Sequence, residues 1–215
     1  MIFRIKHFWP LAIVVTFVGV VASWSLEAWS NLPGNKFSVQ MLIAIGVGGA
    51  LAALMINGIL HETFKRAIGK RYLASFQIYG QDVLDGMGWP AYIAAGLMAG
   101  MAEEPIFRGL LLPLIEDASG SAVVAILGAA LIFAACHWFK ARYWPFWFWA
   151  MWEGVLFGII TIYAGSIIPA MIAHFLHDVI AYRVFQTLVR DSPAVTAAVT
   201  TPATTTDTSP DTDAP

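Results

Sequence analysis

Long apolar runs separated by short polar connections dominate the chain. A membrane-spanning helix needs roughly 20 mainly apolar residues to cross a hydrocarbon core about 30 Å thick. Six runs approach or exceed that length, at residues 8–24, 38–60, 91–115, 121–139, 144–163 and 167–185. Gly46, Gly48 and Gly49 in the second run predict a face of small residues for close helix packing. The mixed segment 73–89 carries acidic residues and glycines, which favours an interfacial helix. The pattern therefore predicts an all-α fold, a polytopic membrane bundle of about six transmembrane helices plus one interfacial helix.

Basic residues in the connections predict the orientation of these spans. Lys and Arg collect on the cytoplasmic side of membrane proteins. With six spans, ten of them fall on one side and Lys36 on the other, while Arg108 lies within a span. We therefore expect both termini in the cytoplasm and a prokaryotic inner-membrane location. The first apolar run resembles a signal peptide without a convincing cleavage site, so we expect an uncleaved anchor.

The composition separates the chain from soluble and disordered classes. It is 59% hydrophobic and 12% charged, whereas soluble domains average about 45–50% and about 25%. A net charge of −2 leaves no basic surface for nucleic acid, and the single cysteine, Cys136, excludes an internal disulfide framework. The Thr-, Pro- and Asp-rich residues 191–215 predict a disordered tail. Residues 1–90 are then an N-terminal transmembrane hairpin with the interfacial segment, and 91–190 the helix-bundle core.

Charged side chains inside the predicted spans are the main functional signal. Each costs roughly 2.5–3.5 kcal/mol at the bilayer centre, so Glu103, Glu104 and Arg108 in one span require a polar cavity. Glu104 and Arg108 are four residues apart, share a helix face and are expected to pair. Glu103 is rotated away from that face and is left to act on a water molecule. Pro105 removes a backbone hydrogen bond and is expected to kink the helix.

Later spans add histidines and acids. His174 and Asp178 share one face of the last span, a spacing that can orient an imidazole, bind a metal or present two polar groups to a carbonyl. His137, near the end of the fourth span, is a further candidate. His177 is expected to support the site or to face lipid. Glu153 is expected near the cytoplasmic interface, with a role in the cavity left open.

The chemistry that fits these residues is hydrolysis of a peptide bond by an activated water. Glu103 would be the general base. Either His174 with Asp178, or His137, would stabilise or protonate the tetrahedral oxyanion. Two other classes of protein fit as well. A transporter or proton-relay protein would place polar groups across the whole membrane thickness, and a non-catalytic membrane scaffold of the same fold would keep the residues without the reaction.

Three motifs occur in a fixed order: EEPIFRG at 103–109, FAACH at 133–137 and HFLHD at 174–178. Together they resemble the EExxxR-G, FxxxH and HxxxN or HxxxD motifs of the CAAX protease and bacteriocin-processing family, also called Abi or Rce1-like. The resemblance covers about residues 91–182. It implies a glutamate-type intramembrane endopeptidase, formerly assigned as a metallo-endopeptidase, whose cavity opens to the cytoplasm.

The resemblance also implies roles for individual residues. Glu103 would activate water, with support from His137, and His174 with Asp178 would form the oxyanion side, while Glu104 and Arg108 organise the site. Asp178 stands where many members have Asn, so here it must be protonated, paired with a histidine or orienting one. The implied partners are the membrane and a peptide or protein substrate; the prenylated CAAX substrates of eukaryotic members do not carry over.

The expected cofactor content is none, with zinc as the alternative. A zinc site would use His137, His174, Glu103 and Asp178 as its ligands. Against zinc, Glu104 is expected to be engaged by Arg108, and His174 to Asp178 is not an HExxH motif. A cation at Arg108 also disfavours a divalent ion nearby. The sequence therefore predicts a metal-independent mechanism.

Overall fold

The computed structural model describes residues 36–84, 86–137 and 141–190, together with Phe17 and Val21. These residues form helices and their connections, with no strand among them, which confirms the all-α class. Apart from those two positions, the predicted span at 8–24 lies outside the described residues. The predicted tail at 191–215 and the end of the fourth predicted span, 138–139, also lie outside them.

Seven α-helices follow one another in the described chain. They are α1 Val39–Ile68, α2 Lys70–Tyr79, α3 Trp89–Met98, α4 Leu112–Ser119, α5 Ala122–Cys136, α6 Trp144–Ala164 and α7 Ile168–Arg190. Three π-helical segments and one 3-10 turn join them: Gly80–Leu84, Ala99–Glu103, Pro105–Leu111 and Ala141–Tyr143. The predicted interfacial segment 73–89 is thus helical over most of its length.

Capping residues set the helix ends. The Ser38 hydroxyl accepts the N–H of Met41 at 3.3 Å at the start of α1, and Ser121 serves α5 in the same way. Such caps satisfy amides that have no partner within the helix. Helix α6 ends at Gly165, whose positive φ of 63° is strained for any residue with a side chain.

Small residues bring α1 against α6 and α7, as the sequence predicted. A Cβ on Gly46 would lie 2.7 Å from Cβ of Ile172, and one on Gly49 would lie 2.7 Å from Cδ1 of Ile160. Gly48 has no atom within 4 Å of such a Cβ. The close-packing face therefore contains Gly46 and Gly49, and the expectation for Gly48 is wrong because that residue points away from both helices.

Two further glycines allow the acidic segment to pack closely against α7. A Cβ on Gly96 would lie 2.8 Å from the carbonyl oxygen of Phe175, and one on Gly100 would lie 2.5 Å from that of Met171. Both obstacles are backbone atoms, which cannot rotate aside. The absence of side chains at these positions therefore allows the approach that brings the acidic motif to the histidines of α7.

Two helices of the described chain are long and apolar enough to cross a membrane, α1 and the stretch Ala141–Ala164. Helix α5 is apolar but has only 15 residues, and the predicted span 91–115 is divided among α3, two π segments and α4. The number of six spans therefore stays a prediction. Large apolar side chains cover the outer face of α1, which suits hydrocarbon surroundings. They are Val39, Met41, Ile43, Val47, Leu51, Met55 and Ile59.

Candidate active site

Widened helical turns carry the acidic motif. The N–H of Glu104 bonds to the carbonyl of Ala99, five residues back, and the N–H of Leu112 bonds in the same way to Phe107. Pro105 is the first residue of the second π segment and has no N–H to contribute. The turns beside Pro105 are therefore π-helical, a geometry that is rare and occurs frequently at functional sites. The kink itself stays a prediction.

Glu104 is the buried centre of an ion-pair cluster. Its Oε1 accepts a hydrogen bond from Arg108 at 2.7 Å and lies 2.7 Å from Nδ1 of His174. The carboxylate is fully buried and the Arg108 side chain is 1% exposed. The predicted pair is therefore present, with His174 as an additional partner. Oε2 of Glu104 has no hydrogen-bond partner among the described residues.

Arg108 is held by contacts from α5 and α6. Its Nη2 donates to the carbonyl of Gly154 at 3.2 Å. The guanidinium carbon lies 4.6 Å from the ring centre of Phe133 and 5.6 Å from that of Phe157. Cation–π contacts of this length are attractive, and more so when the cation is desolvated. These contacts fix the guanidinium, and through it they fix Glu104.

Glu103 has different surroundings from its neighbour. It is partly buried, and its carboxylate makes no hydrogen bond or ion pair within the described part of the chain. It is close enough to His174, His137 and Asp178 to interact with them electrostatically. Consecutive helix residues diverge by about 100°, and this divergence explains why the two acids differ in their contacts.

His174 lies between two carboxylates. Its Nδ1 is 2.7 Å from Oε1 of Glu104, whereas its Nε2 is 3.8 Å from Oδ2 of Asp178, longer than a hydrogen bond. Because Oε1 of Glu104 also accepts from Arg108, it is the acceptor toward His174, and Nδ1 of His174 carries a hydrogen. The ring of Phe157 lies 4.8 Å from that of His174 and packs against it.

His137 lies directly after α5, next to this cluster. Its Nδ1 is 2.8 Å from the carbonyl oxygen of Phe133, so this nitrogen donates. The two rings are 4.5 Å apart, and the ring of Phe133 is 5.8 Å from that of His174. The structure thus gathers all six predicted site residues, with Phe133 between the two histidines.

A cavity of about 390 Å³ lies beside the cluster, within the roughly 300–1,000 Å³ typical of ligand pockets. Its polar lining includes Asn57, His137, Glu153, His174, His177 and Asp178. Aromatic side chains line much of the rest: Phe76, Tyr79, Tyr143, Phe146, Trp149 and Phe185. The cavity therefore joins three of the six predicted site residues, His137, His174 and Asp178, to an apolar surface.

Sequence reasoning missed part of this lining. His177 is 3% exposed and Glu153 is 7% exposed, so the expectation that His177 faces lipid is wrong and its supporting role fits better. Its Nδ1 is 3.0 Å from Oδ1 of Asp178. Glu153 lines the cavity, which is the role that had been left open. Asn57 was not predicted at all, although an amide in an otherwise apolar helix was the available signal.

The zinc alternative depends on which donor atoms of the predicted ligands are already engaged. No group of three or more His, Cys, Asp or Glu side chains among the described residues is placed to hold a metal ion. Nδ1 of His174 is occupied by Glu104, and Nδ1 of His137 is occupied by a backbone carbonyl. These contacts leave Nε2 of each ring as the nitrogen that a metal would use, and the metal-independent mechanism stays a prediction.

Comparison with known proteins supports the family that the three motifs resemble. Residues 85–180 match the family model described as type II CAAX prenyl endopeptidase Rce1-like. This segment is Rce1-like. It contains all three motifs and every predicted site residue, but it leaves out α1.

A curated relative is similar over a longer stretch. It is the sporulation-killing factor biosynthesis protein SkfC of Bacillus subtilis (strain 168), 26% identical over 171 residues. The alignment covers 76% of this chain and 34% of the relative, so the chain spans about a third of that protein's length. No solved structure matches the chain significantly.

Proposed function

We propose that this protein is an intramembrane endopeptidase in which Glu103 activates the attacking water. The observation that carries the proposal is the unequal environment of two adjacent acids. Oε1 of Glu104 is engaged by both Arg108 and His174, whereas Glu103 makes no hydrogen bond to the described residues and lies near His137, His174 and Asp178. The Rce1-like match supports a protease in general.

In the proposed reaction, Glu103 takes a proton from water while the water oxygen attacks the carbonyl carbon. His174, with Asp178 and His137 beside it, stabilises the negative charge that develops on the carbonyl oxygen. Collapse of the tetrahedral intermediate breaks the carbon–nitrogen bond. The proton held by Glu103 passes to the leaving amine, which regenerates the carboxylate.

Glu104 and Arg108 act as positioning residues in this scheme. Their pair holds Nδ1 of His174 at 2.7 Å from Oε1 of Glu104 and so directs Nε2 away from that carboxylate. An ionised Asp178 would repel the oxyanion. The contact of 3.0 Å between Asp178 and Nδ1 of His177 supports pairing with a histidine as the way in which this repulsion is reduced.

We extend the proposal to the setting of the reaction. The enzyme is placed in a prokaryotic inner membrane with six spans, cytoplasmic termini and a cavity that faces the cytoplasm. Its mechanism is independent of metal. Similarity to a sporulation-killing factor biosynthesis protein makes a polypeptide that takes part in the biosynthesis of such a factor a candidate substrate.

The test is cleavage of a proteome-derived peptide library by the full chain in proteoliposomes, with new N-termini identified by mass spectrometry. Glu103→Gln keeps the shape of the side chain but removes the base, and a loss of about 10²–10⁴-fold in rate is expected. Glu116→Gln, on α4 and outside the cavity lining, is the matched control and should cleave normally. Equal cleavage by Glu103→Gln would contradict the proposal.

A further inference from the structure

A second group of polar side chains lies against Asp178, and none of its members transfers a proton or binds the oxyanion in the proposed reaction. It consists of Asn57 on α1, Trp152 and Glu153 on α6, and His177 on α7. Asn57 contacts the other three members. Because α1 lies outside the Rce1-like match at 85–180, this amide is a contribution to the site from another part of the chain.

The orientation of the Asn57 amide follows from Trp152. An indole N–H can only donate a hydrogen bond, and Nε1 of Trp152 lies 2.9 Å from Oδ1 of Asn57. That atom must therefore be the amide oxygen, and the amide nitrogen points the other way. Nδ2 lies 2.7 Å from Oε1 of Glu153 and 2.8 Å from Nε2 of His177. One of its two hydrogens serves each acceptor.

The oriented amide in turn determines the tautomer of His177. Nδ2 of Asn57 can only donate, so Nε2 of His177 must accept and the ring hydrogen must be on Nδ1. Nδ1 then donates to Oδ1 of Asp178 at 3.0 Å. A hydrogen on Nε2 could reach Oε1 of Glu153 only at 3.3 Å, and it would set two donors against each other at 2.8 Å.

We propose that Asn57, held by Trp152, is a positioning residue that keeps His177 in its Nδ1-protonated form and thereby fixes Asp178 beside His174. Oδ1 of Asp178 is tied to His177, and this leaves Oδ2 as the oxygen on the side of His174, at 3.8 Å from Nε2. The positioning role rests on the proposed function. The tautomer itself does not, because it follows from hydrogen-bond contacts alone.

The tautomer is measured by nitrogen NMR on the full chain in lipid nanodiscs, with ¹⁵N-labelled histidine. Signals of His177 are assigned by their loss in His177→Gln. We expect a pyrrole-type signal for Nδ1 and a pyridine-type signal for Nε2 in the wild-type chain. The tautomer itself is read from the wild-type chain, and the variant is used only to assign the signals. A protonated Nε2 in the wild-type chain would overturn the assignment.

The variant Asn57→Asp tests whether the Asn57 amide determines the tautomer of His177. The variant has nearly the same shape but offers only acceptors, so Nε2 of His177 should gain a hydrogen and its pyridine-type signal should disappear. His61 is on the same helix as Asn57, and its Nδ1 lies 2.8 Å from the hydroxyl oxygen of Tyr72. The signals of His61 should not shift in the variant, which would report that the fold is intact. An unchanged His177 would refute the role of Asn57.

A matched pair of tryptophan variants tests whether Trp152 orients the amide of Asn57. Trp152→Phe removes the donor that orients the amide, so His177 should show two tautomers instead of one. Trp89→Phe changes an indole that is 56% exposed at the start of α3, and it should leave His177 unchanged. A single, unaltered tautomer in Trp152→Phe would refute the orienting role of Trp152.

Peptide cleavage separates this inference from the proposed function. If the wild-type chain cleaves peptides, Asn57→Asp should lower kcat by about tenfold to a hundredfold with little change in KM, because misplaced catalytic groups cost rate rather than binding. Equal kcat values would refute the positioning role. If no library peptide is cleaved by the wild-type chain, the proposed function fails, while the tautomer is still decided by NMR.

Discussion

Replacement of Arg108 by Met should destabilise the protein strongly. The guanidinium is 1% exposed and its partner Glu104 is fully buried, so the variant leaves a buried carboxylate without its cation. Breaking a buried pair in this way costs about 3–5 kcal/mol. The hydrogen bond to the Gly154 carbonyl and the contact with the Phe133 ring are lost as well. His174 remains as one partner of Glu104, which favours the lower end of that range.

The assay is equilibrium unfolding in mixed micelles with increasing SDS, followed by tryptophan fluorescence. The matched control is Arg142→Met. Arg142 also pairs with an acid, Asp82, at 2.5 Å, but its side chain is 49% exposed. An exposed pair contributes about 0–1 kcal/mol. The two variants therefore remove the same kind of side chain from sites that differ in burial.

Two outcomes would refute the reasoning. One is an equal loss of stability in Arg108→Met and Arg142→Met, since burial would then not matter. The other concerns the double variant Glu104→Gln with Arg108→Met. Removing both charges avoids the isolated buried carboxylate, so the double variant should be more stable than Arg108→Met alone. A double variant of lower stability would show that shape, and not charge, determines the cost.

Three further predictions follow from packing, topology and chemistry. Gly100→Ala should cost about 1–3 kcal/mol by the same unfolding assay, because its Cβ would meet the Met171 carbonyl at 2.5 Å, whereas Gly48→Ala has open space and should be neutral or stabilising by about 0.5–1 kcal/mol. Reporter fusions after residues 66 and 118 should report opposite sides of the membrane; the same side for both would contradict the six-span topology. Exhaustive chelation should leave peptide cleavage unchanged, and loss of activity that zinc restores would contradict the metal-independent mechanism.

Spacing along the helices predicted the contacts that are local in sequence. The pair of Glu104 with Arg108 follows from a separation of four residues, and the different contacts of Glu103 follow from its rotation around the same helix. The sequence also predicted the small-residue face at Gly46 and Gly49, because close helix packing needs residues with little or no side chain. Gly48 shows the limit of composition alone, since a glycine between two packing glycines points away from the contact.

Contacts between distant segments could not be read from the sequence. Asn57 meets His177 across 120 positions of the chain, and no helical period relates them. His174 was paired with Asp178 by spacing, yet its short contact is with Glu104, 70 residues earlier. The span predicted at 91–115 carries two π segments, because Pro105 removes an N–H and the surrounding turns widen. A pattern of apolar residues does not report that change.

The π segments at Ala99–Glu103 and Pro105–Leu111 have a consequence for how this site tolerates changes in length. A hydrogen bond that spans five residues instead of four holds one more residue per turn than an α-helix does. Deleting one residue from residues 99–102 would therefore let that turn relax to α-helical geometry. Because the turn itself absorbs the missing residue, the residues that follow it keep the face that they present to α7. A single-residue deletion there would leave a continuous helix whose Glu104 still faces His174.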